Sequence, residues 1–446
     1  MQVKIYSLQK QKIRMIDLFK IKTGMILFIG FIFINNLHAQ PVKSLINTSH
    51  LDHLYQKINA DGKEMGIIHI YADYPDYNYV EAKGEGIACV DDAARALVFY
   101  IKYYDATKNE CVLKKIKMLT NFLIYMQAEN GFFYNFIWKD FTKDTTYKTS
   151  VAEPNWWTWR AIWALGESQK FFSKNDKIIS DHIKPVLNKA VNVTLDWLKQ
   201  NDSDSTSNFS GFNLPKWLPY GTAADQAAII VKGLLVYYQL NKDEKVKNEI
   251  IHLCDGIIGM QAGDKNNFPY YAFLSWENTW HMWGNSQADA LIETGKTLNK
   301  QEYILKAEKE IQNFYPCLMK RNYLNNFSVK KIEGKNIMTD SAEFSQIAYG
   351  IRPMVLACLG AYSVEHKKKY SETAGKIAAW LLGKNISGKQ MYNPKTGVCF
   401  DGIISSTEIN KNSGAESTIE ALLTILSIEK IPSIKKMLMK YYHKHY

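Results

Sequence analysis

Apolar and polar positions alternate along this chain in a pattern typical of paired helices. Six stretches are apolar on nearly every face, and each is followed by a stretch with one apolar face and one face of Lys, Glu and Asn. The first kind predicts helices surrounded by other helices, whereas the second predicts helices that cover them. We expect the apolar helices to begin near Asp91, Asn155, Thr222, Asn285, Ser341 and Ser413. We expect the amphipathic helices over Val112–Gln127, Ile178–Lys199, Glu244–Gln261, Gln301–Lys320, His366–Leu382 and Pro432–His443.

Connector lengths decide how these helices are arranged. Within a pair the connector is short, which forces the two helices to lie antiparallel, and between pairs it is several times longer. Six such hairpins close most simply into an all-α (α/α)6 toroid of six inner and six outer helices, with short β-hairpins in the long loops. The long loops and the N-termini of the inner helices then share one face, which forms a funnel. Before the toroid we expect a helix over 44–60 and a strand over Gly66–Tyr71.

Residues 1–39 have the pattern of a secretory signal peptide. A basic lead over 1–24 is followed by the apolar run Met25–Ile34 and by a small residue, Ala39, at the expected cleavage site. The run is too short to span a bilayer comfortably, and no later stretch reaches the length that a transmembrane helix needs. We therefore expect a secreted or periplasmic protein whose mature chain begins near Gln40, with no membrane partner after cleavage. Residues 40–446 are predicted to form a single domain.

Composition and charge argue against several other classes of protein. The chain has 446 residues, of which 46% are hydrophobic and 22% charged, as in ordinary globular proteins. Its formal net charge is +11, but the lysines are scattered over helix faces, so we expect no nucleic-acid partner. The six cysteines lie far apart with no CxxC motif, which indicates neither a zinc site nor a dense disulfide framework and leaves one or two disulfides open. We expect a monomer that holds no metal ion and no cofactor.

Acidic residues stand at the starts of the predicted inner helices. The loop within Gly84–Tyr100 places Asp91 and Asp92 at the first of these starts, where a carboxylate can cap free amides and is favoured by the helix dipole. A pair is more than one cap requires, and further acids and amides occur in the same setting. These are Glu153, Asp225, Asn285, Asp289, Glu343, Asp401 and Glu416.

The expected closure of the ring pairs two of these acids. Asp92 and Glu416 belong to the first and sixth inner helices, which become neighbours in a closed toroid. Hydrolysis of a glycosidic bond requires two carboxyl groups, one as a proton donor and one as a base or nucleophile on the other side of the sugar ring. We therefore take them as the leading catalytic pair, with Asp91 as a third candidate that can also serve mainly as a helix cap. Arg95 and Arg160, one turn inside their helices, are placed to hold these carboxylates ionised.

Tryptophans are concentrated in or beside the long loops. Aromatic rings with carboxylates and amides between them suit sugars, which present an apolar face and a rim of hydroxyl groups. Packing of the toroid is the alternative explanation for each ring taken alone. Besides the acids and amides above, the candidate sugar-binding side chains are Trp156, Trp157, Arg160, Trp276, Trp280, His281 and Trp283. His281 is interpreted as a hydrogen-bonding or packed side chain and not as a metal ligand, because no second histidine lies at helical spacing from it.

Two motifs resemble those of a known family. Gly86–Leu97 and Asn412–Thr418 are similar to two signatures of bacterial (α/α)6, six-hairpin glycosidase-like domains, some of which are fused to or encoded beside glycosyltransferases. The resemblance implies this fold for the mature chain and places Asp91, Asp92 and Glu416 in a carbohydrate site. Related toroids include polysaccharide lyases, epimerases and unsaturated glucuronyl hydrolases. This sequence contains no glycosyltransferase domain.

The sequence therefore predicts an exported glycoside hydrolase that acts on an oligosaccharide or polysaccharide. A polysaccharide lyase is one alternative, with Tyr270, Tyr271 or His281 as the base and Arg352 neutralising a uronate. A toroid that binds glycans without catalysis is the other.

Overall fold

The structure is a computed structural model that describes residues 44–201, 203 and 205–445, without the side chains of residues 444 and 445. The expected signal peptide and its cleavage site after Ala39 lie outside these residues, so export remains a prediction. From Leu45 onward the described chain forms one compact unit.

The described chain begins with a short helix and a hairpin that precede the toroid. Helix α1 (Ser49–Leu54) is followed by the antiparallel strands β1 (Tyr55–Ala60) and β2 (Lys63–Ile68). The predicted helix over 44–60 is therefore wrong in its second half. Burial alternates there, with Ile58 and Ala60 inside and the residues before each of them exposed, which is the period of a strand. The predicted strand over Gly66–Tyr71 overlaps β2 but starts and ends too late.

Within the described chain, twelve α-helices follow α1 in alternation. They are α2 (Val90–Thr107), α3 (Leu113–Met126), α4 (Trp156–Asn175), α5 (Lys177–Gln200), α6 (Ala224–Asn241), α7 (Glu244–Gly259), α8 (Gln287–Leu298), α9 (Gln301–Lys320), α10 (Ala348–Glu365), α11 (Lys368–Ala378), α12 (Ala415–Glu429) and α13 (Pro432–His445). Each even-numbered helix packs against the next even-numbered helix, and α12 packs against α2. These contacts close an inner ring. The odd-numbered helices from α3 onward cover this ring from outside. The predicted all-α (α/α)6 toroid is confirmed.

The inner and outer helices bury their side chains as the sequence pattern requires. In α2 every residue from Asp92 to Ile101 is buried, because neighbouring helices surround it. In α9 the buried positions include Tyr303, Ile304, Ala307 and Ile311, which lie on one face of a helix. The apolar core is therefore a closed layer between the two rings of helices.

Short antiparallel strands occupy the long connections at the N-terminal ends of the inner helices. They are β3 (Tyr71–Asp73), β4 (Asn78–Val80), β5 (Ala88–Cys89), β6 (Phe136–Ile137), β7 (Thr206–Phe209), β8 (Phe212–Pro215), β9 (Gln261–Ala262), β10 (Ala272–Phe273), β11 (Thr279–His281), β12 (Asn326–Ile332), β13 (Lys335–Ala342), β14 (Gly402–Ile403) and β15 (Ile409–Asn410). Strands β11, β12 and β13 form one three-stranded sheet in that order. The others pair as hairpins, except that β5 pairs with β6, from which α2 and α3 separate it in the sequence.

One predicted helix start is wrong because of this sheet. The fifth inner helix begins at Ala348 and not near Ser341, since Ala342 at the end of β13 pairs with Asn326 of β12. The other five predicted starts lie beside the observed ones. All six cysteines belong to the described chain and are free, so the disulfides that the sequence left open are not formed. Among the described residues no helix is both long enough and apolar enough to span a bilayer.

Truncation of an inner-ring leucine should destabilise the toroid far more than truncation of an outer-ring leucine. Leu97 in α2 is fully buried, whereas Leu305 in α9 is 49% exposed. We expect Leu97→Ala to lower the free energy of unfolding by about 2 to 5 kcal/mol, because it leaves a cavity between close-packed helices. Leu305→Ala is the matched control and should change it by less than about 1 kcal/mol. Denaturant unfolding measures both, and equal effects would contradict the assignment of inner and outer rings.

Candidate active site

A cavity of about 360 Å³ opens where α2 and α12 begin, within the size range of small-molecule sites. Its walls include Asp91, Asp92 and Arg95 from α2, Glu416 from α12, and Asp401 from the loop before α12. The three carboxylates assigned to catalysis from the sequence are therefore brought together.

Backbone hydrogen bonds to the segment around β6 hold the start of α2. Ile87 and Val90 donate backbone hydrogen bonds to the carbonyls of Ile137 and Asn135, at 2.9 and 2.8 Å. Gly86 has a φ of +63°, and a Cβ at this position would lie 2.0 Å from the carbonyl oxygen of Ile137. Only glycine fits this close approach, which explains its place in the motif.

The helix cap is a cysteine and not an aspartate. The Sγ of Cys89 accepts a hydrogen bond from the backbone N–H of Asp92 at 3.4 Å, and the Cys89 thiol donates to the Asp92 carboxylate at 3.2 Å. The carboxylate of Asp91 instead binds Arg160 of α4. The capping interpretation of Asp91 therefore does not describe this structure.

Arg95 links the first and last inner helices. Its guanidinium is buried, and its Nη1 donates to Oδ1 of Asp92 at 2.8 Å while its Nη2 donates to Oε2 of Glu416 at 2.7 Å. Its Nε lies 3.4 Å from Oε1 of Glu420, one turn further along α12. Asp92 and Glu416 thus bind adjacent nitrogens of one guanidinium, as closure of the ring predicts.

Arg160 holds the third carboxylate. Its Nη1 binds both oxygens of Asp91, with Oδ2 at 2.6 Å, and its Nη2 donates to the hydroxyl of Tyr349 at 2.8 Å. Arg95 lies 3.6 Å from the same carboxylate. Asp91 is therefore shared between two guanidinium groups.

Tyr349 and Glu420 complete the cluster, and sequence reasoning did not single out either of them. The ring of Tyr349 lies 5.0 Å from the guanidinium carbon of Arg95, 5.3 Å from that of Arg160 and 5.9 Å from that of Arg352. Glu420 is fully buried and also accepts a hydrogen bond from Nε of Arg352. The spacing of Glu416 and Glu420, four residues apart on one helix, is the sequence signal that identifies the second acid.

The environments of the acids displace their pKa values in different directions. Burial raises the pKa of Glu416 to about 7, although the charge of Arg95 opposes this shift. Burial also raises the pKa of Asp92 against the effect of Arg95. For Asp91, burial acts upward too, but the charges of Arg160 and Arg95 outweigh it and leave the pKa below its ordinary value. The cavity therefore combines an acid whose pKa is raised with one whose pKa is lowered.

Asp401 orients the first turn of α12. Its Oδ1 accepts hydrogen bonds from the backbone N–H of Gly414 at 2.8 Å and from the hydroxyl of Ser417 at 2.6 Å. Burial raises the pKa of Asp401, whereas these two hydrogen bonds lower it. Because Ser417 follows Glu416 directly, Asp401 fixes the helix start that carries the candidate proton donor.

An aromatic row extends from the acid cluster and consists of Trp156, Trp283 and His281. The ring of Trp156 lies 5.2 Å from the guanidinium carbon of Arg160 and meets Trp283 edge to face at 6.5 Å. Trp283 stacks on His281 at 3.6 Å, and Nε2 of His281 lies 3.0 Å from Oδ2 of Asp225. Trp283 is 43% exposed, so one face of the row is open to a ligand.

Two of the candidate tryptophans lie in the core instead. The indole N–H of Trp157 donates to the carbonyl of Phe133 at 2.7 Å, and the side chain is buried. Trp280 is 1% exposed and packs on Phe314 and Phe327. Both therefore match the packing explanation that the sequence left open.

Neither the aromatic row nor the remaining candidates line this cavity. Trp276 is 46% exposed, Glu343 is exposed, and the carboxylate of Glu153 accepts a hydrogen bond from Asn155 at 2.9 Å. Asn285 and Asp289 are buried within the toroid. Asn285 donates to the carbonyl of Gly350 at 3.1 Å, and Asp289 forms an ion pair with Lys232.

Comparison with known proteins supports the fold. No protein-family model matches the sequence, and no curated protein matches it significantly. The chain is similar to the structure of a cellobiose 2-epimerase from Spirochaeta thermophila, with 13% identity, a TM-score of 0.56, and coverage of 82% of this chain and 91% of that chain. It is similar to a sugar epimerase from a ruminal bacterium, with 11% identity, a TM-score of 0.56, and coverage of 86% and 95%. A cellobiose 2-epimerase from Bacillus thermoamylovorans gives 12% identity, a TM-score of 0.55, and coverage of 85% and 95%. At such identities the similarity establishes the fold alone.

The raised pKa of Glu416 should make the stability of the protein depend on pH. Its folded-state pKa of about 7 lies above the ordinary value of 4.5, so the stability that it contributes is present below that value and is lost as the pH rises through about 7. Glu416→Gln should remove this part of the decline in the free energy of unfolding. Denaturant unfolding at a series of pH values from acid to alkaline measures it. The exposed Glu129 supplies the control, because Glu129→Gln should leave the profile unchanged. A Glu416→Gln profile that follows the wild type would contradict the raised pKa.

Proposed function

We propose that this protein is a carbohydrate-active enzyme that hydrolyses a glycosidic bond in an oligosaccharide or polysaccharide. The observation that carries the proposal is the arrangement of Glu416 and Asp91, which line one cavity and have pKa values displaced in opposite directions. Separated pKa values are what distinguish the proton donor from the base or nucleophile in a pair of catalytic carboxyl groups. The signal-peptide pattern over 1–39 supports action outside the cytoplasm.

Glu416 is the proposed proton donor. Its pKa of about 7 keeps it largely protonated in weakly acidic solution, and its side chain is 39% exposed and lines the cavity. A proton held there can pass to the glycosidic oxygen as the bond to the leaving sugar breaks. Arg95 fixes the direction of the carboxyl group.

Asp91 is the proposed base or nucleophile, which moves this role away from Asp92. The side chain of Asp91 is 22% exposed, and two guanidinium groups favour its ionised form. The side chain of Asp92 is only 5% exposed and its pKa is raised, whereas that of Asp91 is lowered. Asp92 is therefore better suited to position Arg95 than to attack a sugar or activate a water.

The aromatic row supports a sugar as the substrate. Trp283 is exposed beside Trp156, which itself lies against the arginine that binds Asp91. A sugar ring stacked on Trp283 buries its apolar face, while the neighbouring carboxylates and imidazole accept or donate hydrogen bonds at its rim.

Sugar epimerisation is the second candidate, favoured by one observation besides the shared fold. The imidazole of His281 is held by the carboxylate of Asp225, and its Nδ1 is buried and has no hydrogen-bond partner among the described residues. An imidazole held in this way has the chemistry to remove a proton from carbon, provided that the substrate reaches this buried nitrogen. A lyase is less well supported, because Arg352, which would neutralise the uronate, does not line the cavity that holds the acids, and neither do Tyr270 and Tyr271.

Isotope incorporation during turnover distinguishes these reactions. Screening against a panel of oligosaccharides should find a substrate whose new reducing end takes up oxygen from heavy-oxygen water, as hydrolysis requires. Deuterium entering a carbon–hydrogen position from solvent without bond cleavage would instead identify an epimerase, and an unsaturated product that absorbs ultraviolet light would identify a lyase. Either result would overturn the hydrolase proposal.

Variants of the three carboxylates test their roles in the same assay. Asp91→Asn and Glu416→Gln should each lower kcat/KM by a factor of about 100 or more, since each removes acid–base or nucleophilic chemistry. Asp92→Asn keeps a hydrogen-bond acceptor for Arg95 and should cost less. Wild-type kcat/KM should fall as the pH rises through about 7, where Glu416 loses its proton, and the Gln variant should lack this limb. If Asp92→Asn loses activity and Asp91→Asn retains it, Asp92 and not Asp91 is the base or nucleophile.

Two tryptophans with opposite surroundings test the sugar platform. Trp283→Ala should raise KM or the dissociation constant of the substrate about tenfold, because stacking on one ring face contributes on the order of 1 to 2 kcal/mol. Its melting temperature should change little, since the ring is 43% exposed. Trp157→Ala is the matched control and should behave in the opposite way, losing about 3 to 5 kcal/mol of stability. Unchanged affinity in Trp283→Ala would remove the aromatic row from the substrate site.

A further inference from the structure

A second cavity, about 790 Å³ in volume, lies at the other end of the toroid, and we call it the rear cavity. All six inner helices contribute to its walls, mainly through their C-terminal halves, as with Lys102 of α2 and Lys296 of α8. It is larger than the candidate active site and falls within the range of small-molecule sites. Asp289, assigned to the sugar site from the sequence, lies here instead.

The deep end of the rear cavity contains an arginine with spare donors. Arg352 is 3% exposed, lines this cavity, and donates to Glu420 through its Nε. Its two terminal nitrogens form no hydrogen bond with any residue that the structure describes. Neither nitrogen is among the fully buried unpaired atoms of the described chain, so both reach the space of the cavity, where an acceptor can bind them. The open donors of Arg352 therefore favour an acceptor-rich occupant of the cavity.

The walls of the rear cavity carry an excess of positive charge. Six lysines line it against four carboxylates, and the charge of Arg352 is already balanced by Glu420. At the rim, burial and the nearby charge of Lys102 lower the pKa of Lys430, and the charge of Asp105 opposes them only in part. An anion between these two lysines would relieve their repulsion.

The helix dipole explains only part of this charge. Lysines near the C-terminal ends of inner helices are favoured by the partial negative charge there, which accounts for rim residues such as Lys174 and Lys296. Arg352 stands in the first turns of α10, near the opposite end of its helix, so the same explanation does not apply to it. The position of this arginine is therefore not explained by the helix dipole.

We propose that the rear cavity is a second ligand site, for a small molecule that carries a phosphate or carboxylate group. The two terminal nitrogens of Arg352 match the geometry of such an oxyanion, which guanidinium groups bind through two parallel hydrogen bonds. Lys102 and Lys430 bind the outer part of the ligand at the rim. Glu420 stands between Arg352 and Arg95, so this ligand does not occupy the candidate active site.

Titration with inorganic phosphate and with citrate, at constant ionic strength set by sodium chloride, tests the proposal on the full-length folded protein. We expect saturable binding by calorimetry and a rise in melting temperature for at least one anion, and the tighter one identifies the favoured group. Lys102→Gln and Lys430→Gln should each weaken binding about fivefold to tenfold, because each removes a charge-assisted contact. Both lie at the rim, where substitution leaves the fold intact.

Lys395→Gln is the matched control, because Lys395 is exposed and does not line the rear cavity. It should bind the anion as the wild type does. Arg352→Gln should abolish binding, but it also breaks the pair with Glu420, so the rim variants carry the decision. Any of three results would overturn the proposal. They are the absence of saturable binding, equal affinity in the rim variants and the control, and displacement of the anion by neutral glucose.

Discussion

The buried guanidinium of Arg95 is the interaction on which the rest of the structure depends. A charge removed from water is stable only when it is paired, and Arg95 takes its partners from both α2 and α12. These are the first and last helices of the inner ring, so the contact that closes the toroid also gathers the carboxylates of the cavity. Closure of the fold and assembly of the candidate active site are therefore one event, and neither helix holds a complete site alone.

The charge balance around Arg95 adds to burial in raising the pKa of one acid. The cluster contains four carboxylates and three guanidinium groups, so it holds one negative charge too many when every acid is ionised. Its members are Asp91, Asp92, Glu416, Glu420, Arg95, Arg160 and Arg352. Repulsion from Asp92 and Glu420 adds to burial in raising the pKa of Glu416, whereas Asp91 has Arg160 largely to itself. The division of roles between the two acids follows from how the arginines are shared.

Glu420 separates the two cavities of the toroid. It is fully buried and bound on one side by Arg95, which belongs to the active-site cluster, and on the other by Arg352, which lines the rear cavity. A toroid of helices encloses an axial space by its geometry, and a continuous channel would admit water to the buried ion pairs. The layer formed by Glu420 and its arginines lies between an acid-lined cavity at the helix N-termini and a basic cavity at the opposite end.

The sequence by itself determined the helical framework and the adjacency of Asp92 and Glu416. Both follow from periodicity and connector length, because local hydrophobic pattern and short loops leave six hairpins only one simple closure. Tertiary structure decided what depends on the environment of each side chain after packing. Trp157 and Trp283 share a residue type and both lie in or beside the long loops in the sequence, yet one is buried and the other exposed. The adjacent acids Asp91 and Asp92 differ in pKa because Arg160, almost 70 residues away, binds only the first. Burial and long-range charge are set by the folded arrangement, and no local pattern encodes them.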